Sequence, residues 1–256
     1  MRYAVFLISI SFALAGCASL SPSAQNISAK QNICPDAPVI ISLQKRSEEL
    51  KTLKGTALIK MQLQGNRREM AGRAIVIIKR PSQFRFEILG PFNQVSMIAL
   101  YNGNRLSLLS FQENKVYRDY PFPINVSMFP QYLMGLPAGE VRSQKSEVRS
   151  QNENTHPLSL GPCYVNSEDE QIFINHEGDI REITSSAIGD DSHTVKVSMG
   201  SYKEVDGFNI PFAISISSKA SDFFIRYENV ELNQHISNDL FNLPQQPIIE
   251  DIIPAP

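Results

Sequence analysis

Cysteine is the residue type with the clearest chemistry in this chain, and there are three, Cys17, Cys34 and Cys163. Cys17 follows Leu14-Ala15-Gly16, at the end of an apolar run from Tyr3 that starts just after Met1-Arg2. A positive start, a run too short to span a bilayer comfortably, and small residues before a cut are the parts of an export signal. A cysteine directly after the small residues matches a bacterial lipobox, whose thiol is acylated and becomes the new N-terminus. We therefore expect a lipid on Cys17. Export to an oxidising compartment leaves Cys34 and Cys163 either joined by a disulfide or as two separately buried thiols.

Other chemistry is poorly represented. His156, His176, His193 and His235 are scattered, with no metal-ligand spacing among them. Neither a Gly-x-Ser-x-Gly elbow nor a Gly-rich phosphate loop occurs, and the carboxylates are dispersed. Catalysis, metal and cofactor are not expected. A net charge of −2 without a basic run gives no sign of a polyanion partner, and nucleic acid is not expected. With 42% hydrophobic and 20% charged residues, the chain can bury a core.

The elements that would carry a site follow from periodicity. Residues 18–32 are Ser-, Ala- and Asn-rich without an apolar period, as in a flexible tether. Asp36-Ala37-Pro38 has helix-start chemistry, and Ile40, Leu43, Leu50 and Leu53 then recur at helical spacing, predicting a helix over 37–53. After Gly55 the period falls to 2. Strands are expected at 56–64, 70–79, 82–89, 95–101, 104–111 and 114–120, then at 171–176, 179–185, 193–202, 208–217 and 223–232. Phe84, Phe86 and Ile88 share one face while Arg85 and Glu87 take the other, predicting an antiparallel meander with one apolar face. A short helix that Pro130 would kink or shorten is expected within 123–137. A tandem heptad, Glu140 to Ser146 then Glu147 to Glu153, reads as an exposed low-complexity insertion.

This order of elements resembles the LolA/LolB lipoprotein-carrier family, and several stretches do so locally. Gly90-Pro91-Phe92-Asn93 resembles an Asn-Pro-Leu-Gly-like loop between that family's third and fourth strands. Pro123-Ile124-Asn125 through Met134-Gly135-Leu136-Pro137 is similar to its short helix and following turn. Asp206 to Phe212, Asn229 to Asn233 and Phe241 to Pro244 resemble its last strands and closing segment.

The resemblance covers about residues 36–244 and departs from the family pattern in lacking tryptophan. It implies an α+β, mainly β fold: a curved antiparallel unclosed half-barrel of about 11 strands, with helices covering its mouth. The implied organisation is a signal peptide at 1–16, a lipidated tether at 17–35 and the half-barrel at 36–244. Within that domain a repeat loop occupies 140–160, and a flexible tail, 245–256, follows it. The implied activity is acceptance of acylated lipoproteins from a soluble LolA-like periplasmic carrier and their insertion into the outer membrane, by a monomer on its periplasmic face. Ala18 and Ser19, in place of an Asp after Cys17, agree with outer-membrane sorting. Strand alternation then nominates Met61, Phe84, Phe86, Met97 and Leu108 as an acyl-cavity lining, and the resemblance gives Pro91 and Phe92 a membrane-inserting role. A lipid or glycolipid carrier and a structural envelope lipoprotein are the alternatives.

Overall fold

The change of period after the first helix organises the molecule. In the computed structural model, which describes residues 38–63, 69–119, 125–139, 163–167, 170–185, 194–219, 221–244 and 250–252, helix α1 spans Pro38–Glu49. Its Val39, Ile40, Leu43 and Arg46 are buried along one stripe. The helix ends four residues earlier than its periodicity suggests. Leu50 closes the last turn through its N–H to the Arg46 carbonyl, and Arg80 donates to the Ser47 and Leu50 carbonyls. With those helix-end acceptors satisfied, the chain can extend at once. Leu53, which fits a helical period equally well, instead enters strand β1, Thr52–Leu63, where it faces Leu232 and Ile78 on the two neighbouring strands.

The other strands are β2 Glu69–Lys79, β3 Gln83–Leu89, β4 Val95–Asn102, β5 Leu106–Ser110 and β6 Lys115–Arg118. A second run follows: β7 Cys163–Asn166, β8 Glu170–Ile174, β9 Ile180–Ser185, β10 Val195–Val205, β11 Phe208–Ser218 and β12 Ser221–Leu232. Together with β13, Glu250–Ile252, they form one sheet ordered β13-β6-β5-β4-β3-β2-β1-β12-β11-β10-β9-β8-β7. Two meanders are thus joined at the β1–β12 pair, and the sheet stays unclosed, with β13 and β7 at its edges. Every pairing is antiparallel except β13 on β6. Gly55 permits the central junction, because a Cβ there would lie 2.2 Å from the Asn229 carbonyl oxygen.

The sheet is strongly curved. Phe86 on β3 and Phe223 on β12 lie three strands apart, about 14 Å in a flat sheet. Their ring centroids are 6.0 Å apart, so the concave face brings them together. This face carries the main core, as the alternation of Phe84 and Phe86 with Arg85 and Glu87 predicts.

Three features depart from the sequence-based expectation. The four-residue β7 and three-residue β13 add two strands, the latter within the segment expected to be a loose tail. The convex face is also not wholly wet. Ile77, Ile98, Leu100, Leu109 and Val116 form a second cluster there, covered by Ile236 and Phe241 of the closing segment. Finally, of the kink and the shortening expected of Pro130, only a short helix is seen. Val126–Met128 is a 3-10 turn and Phe129–Leu133 is α2, with Pro130 in the first turn, where a missing N–H costs nothing. No helix among the described residues is long and apolar enough to cross a membrane.

Candidate functional site

The concave face gathers all five residues nominated as an acyl lining. Phe84 pairs with Tyr101 and Phe86 with Ala99, Ala99 pairs in turn with Leu108, Ile88 faces Met97, and Met61 faces Phe223. They divide into two groups. Phe84 and Phe86 are buried, whereas Met61, Met97 and Leu108 are half-buried.

Phe129 of α2 makes that division. Its ring centroid lies 5.4 Å from Phe84, 6.2 Å from Phe86 and 5.0 Å from Phe223, so it plugs the middle of the concavity. On the same face Met61, Ile88, Met97 and Leu108 stay half-buried, and Ile88 and Met97 are the pair nearest the β3–β4 hairpin.

The segment carrying Phe129 is fastened by buried polar contacts. The Tyr227 hydroxyl donates to the Leu133 carbonyl at 3.0 Å, and the Arg46 guanidinium donates to the Gly135 carbonyl. Glu170 on β8 accepts from the Tyr132 hydroxyl at 2.7 Å, from Ala138 N–H at 3.0 Å and from Gly139 N–H at 3.2 Å. Gly135 ends α2 with φ 71°, and Leu136 N–H returns to the Gln131 carbonyl, a glycine-dependent helix stop. Burial lowers the Arg46 pKa below its ordinary value, opposed by nearby Tyr202 and Asp179.

These anchors predict an alkaline transition. Burial pushes the hydroxyls of Tyr132 and Tyr227 far above the ordinary tyrosine range, and the Glu170 charge adds to the effect at Tyr132. In the unfolded chain both ionise near about pH 10. Above that pH the unfolded chain has released protons that the folded chain keeps, so the contribution present below pH 10 is lost as pH rises. Stability should fall by up to about 1.4 kcal/mol per pH unit for each group. Urea midpoints measured across this range should drop, with a shallower slope in Tyr227→Phe. A flat profile would contradict the burial of these hydroxyls.

Pro91 and Phe92 lie at the hairpin tip between β3 and β4. Phe92 is 89% exposed, against 59% for Ile41 and 40% for Leu240, the other exposed large apolar residues among those described. It does not fold back onto the sheet. The turn sits just past the Ile88–Met97 pair, so Phe92 stands at the hairpin end of the sheet, past those two half-buried residues.

Two cavities lie elsewhere. A groove of about 670 Å³ runs between α1 and the turns at 176–179 and 206–208, with Lys45, Arg46, Glu177, Asp179 and Glu204 in its wall. A smaller one of about 240 Å³ lies on the convex face beside Arg105 and Phe241. Neither is lined by any of the five nominated residues. Among the described residues no three His, Cys, Asp or Glu side chains converge as metal ligands would.

Cys163 is buried and disulfide-bonded. Cys17, Cys34 and the repeat at 140–160 lie outside the described residues. Sequence reasoning missed Phe129, Phe223, Glu170, Tyr227 and Arg46. Only Arg46 carried a local signal, as a cation on the buried stripe of an amphipathic helix.

No protein-family model and no curated protein matches this chain. Among solved structures it is similar to a LolA superfamily protein from Nitrosomonas europaea, at 12% identity over 81% of this chain and 99% of that one, with TM-score 0.46. A DUF1329 family protein from Desulfovibrio piger is similar at 9% identity over 80% and 94%, with TM-score 0.49. A Vibrio parahaemolyticus domain named for outer membrane lipoprotein sorting is similar at 8% identity over 79% and 94%, with TM-score 0.44. Identities this low leave every residue role to be argued from the site itself.

Proposed function

We propose that this chain is a lipid-anchored outer-membrane protein that receives acylated lipoproteins from a soluble periplasmic carrier and releases them into the membrane. The observation that carries this proposal is the juxtaposition at one end of the sheet. Half-buried Ile88 and Met97, with Met61 and Leu108 on the same face, run up to a hairpin that holds Phe92 out in solvent.

The chemistry is exclusion of water. Each CH₂ of a lipid anchor left in water costs about 0.8 kcal/mol, so a bare multi-acyl anchor faces a penalty of tens of kcal/mol. A concave apolar face removes much of that penalty, and release needs only a difference in affinity between this face and the bilayer. Phe92 in the bilayer interface contributes about 1.5–3 kcal/mol, enough to orient a protein already tethered through Cys17. The test is transfer. A carrier loaded with a triacylated lipopeptide is mixed with this protein and vesicles, and the lipopeptide should appear in the vesicle fraction faster than with carrier and vesicles alone. An unchanged rate would overturn the proposal.

Phe129 favours a second reading. A concave face already filled by an aromatic plug suits a structural envelope lipoprotein that binds protein and no lipid. Organic extraction of the purified chain separates the two. Recovered acyl chains oppose the structural reading, and their identity distinguishes lipoprotein from phospholipid or glycolipid cargo.

With Cys17 acylated, Cys34 is the one cysteine left to pair with Cys163. We propose that bond, which would tie the segment before α1 to edge strand β7. In the mature chain bearing Cys17→Ala, thiol alkylation without reductant should label nothing, and Cys34→Ser should lower stability by about 2–4 kcal/mol. Two labelled thiols in the parent would refute the pairing.

A further inference from the structure

We propose that Gln94 is the residue that positions Phe92 for insertion, which rests on the membrane-facing role proposed for this hairpin. A large apolar side chain on a loose loop would spend its time against the nearest apolar surface. Phe92 does not, and the contacts around it show what holds it away. The Gln94 side-chain oxygen accepts the Phe92 N–H at 3.0 Å, fixing the backbone of the very residue that must point outward. The Gln94 carbonyl accepts the Gly90 N–H at 2.8 Å, and the Asn93 N–H donates to the Gly90 carbonyl at 3.0 Å. Asn93 takes the left-handed φ of 59° that an asparagine tolerates, which reverses the chain directly after Phe92. Gly90 completes the arrangement. A Cβ there would lie 2.9 Å from the Gln94 side-chain nitrogen, so the absent side chain is the space into which the Gln94 amide folds.

The loop is therefore held by one residue acting on two backbone positions, its side chain on Phe92 and its own carbonyl on Gly90, and Phe92 is ordered before it meets a membrane. Binding by a pre-ordered loop avoids the entropy of immobilising it at the moment of contact. Pro91, whose φ is fixed by its ring, contributes in the same direction. Gln94 needs no contact with lipid for this role, which separates it from Phe92.

The chain contains no tryptophan, so Phe92→Trp gives a single reporter at the tip. In the mature chain carrying Cys17→Ala, this variant should shift its emission to the blue on vesicles of phosphatidylethanolamine and phosphatidylglycerol. Adding Gln94→Ala should lower the anisotropy of Trp emission without vesicles and weaken vesicle partition by about threefold to tenfold, with an unchanged Tm. Gln94→Glu keeps the acceptor and should restore the anisotropy. Gly90→Ala, which displaces the amide, should reproduce the loss. Unchanged anisotropy in Gln94→Ala, or no recovery with Gln94→Glu, would overturn the positioning role. Absence of a blue shift in the Phe92→Trp parent would instead overturn insertion itself, so the two failures are distinguishable.

Discussion

Replacing Phe92 by Glu is expected to reduce partition of the untethered chain onto vesicles by at least about tenfold while leaving its thermal midpoint unmoved. The size follows from the burial that is lost. A phenyl ring removed from water contributes about 1.5–3 kcal/mol, and each 1.4 kcal/mol is a factor of ten. A carboxylate at the same place adds a desolvation penalty and repulsion from anionic headgroups. Stability should not change, because an 89% exposed side chain contributes almost nothing to the core. Co-sedimentation of the Cys17→Ala chain with and without Phe92→Glu reads the effect directly. Equal partition of the two would show that the β3–β4 hairpin is not the membrane contact.

Phe129→Ala is the variant with the largest expected effect on stability. Removing a fully buried phenyl that touches Phe84, Phe86 and Phe223 should cost about 3–5 kcal/mol, part of it for the cavity left behind. That cavity would be bordered by the phenyl rings of Phe84, Phe86 and Phe223. An acyl ligand should enter it, and a ligand that binds only the folded state restores stability by mass action. The expected pattern in urea unfolding is a large loss without ligand and substantial recovery with saturating triacylated lipopeptide, more than the parent chain gains. Loss without recovery would place Phe129 in a structural core and remove the concave face from the proposed function.

How much of this was legible in the sequence depended on how local the determinants are. Phe84, Phe86 and Ile88 announced their shared face because a strand's side chains alternate whatever the partner strand is. The exposed tip was readable for a similar reason, since Gly90, Pro91 and Asn93 dictate a turn and leave Phe92 no strand to belong to. Leu53 fits the helical period with Leu50 yet belongs to β1, and what decides against the helix is a pair of ladders, to β2 and to β12 far along the chain. β7 and β13 are too short to show a period, and each exists through its pairing, Cys163 with Ile174 and Glu250 with Lys115. The plug was invisible for the same reason. Phe129 looks like one apolar residue beside a proline, and its meaning comes from Phe223, brought to it by curvature that no local pattern records.

Composition alone does not separate a deformable apolar surface from an ordinary core. Fourteen phenylalanines suit an apolar concavity and an ordinary core alike. In this fold Phe84, Phe86, Phe129 and Phe223 fill the middle of the concave face, while Ile88 and Met97 nearer the hairpin stay half-buried.

The measurement to make first is equilibrium binding of a fluorescent triacylated lipopeptide to the mature chain carrying Cys17→Ala, followed by competition with phospholipid. Saturable binding that phospholipid displaces poorly is the predicted result, and it would establish the concave face as an acceptor for acylated protein. No saturable binding would contradict that proposal and leave the half-barrel as the scaffold of a structural lipoprotein.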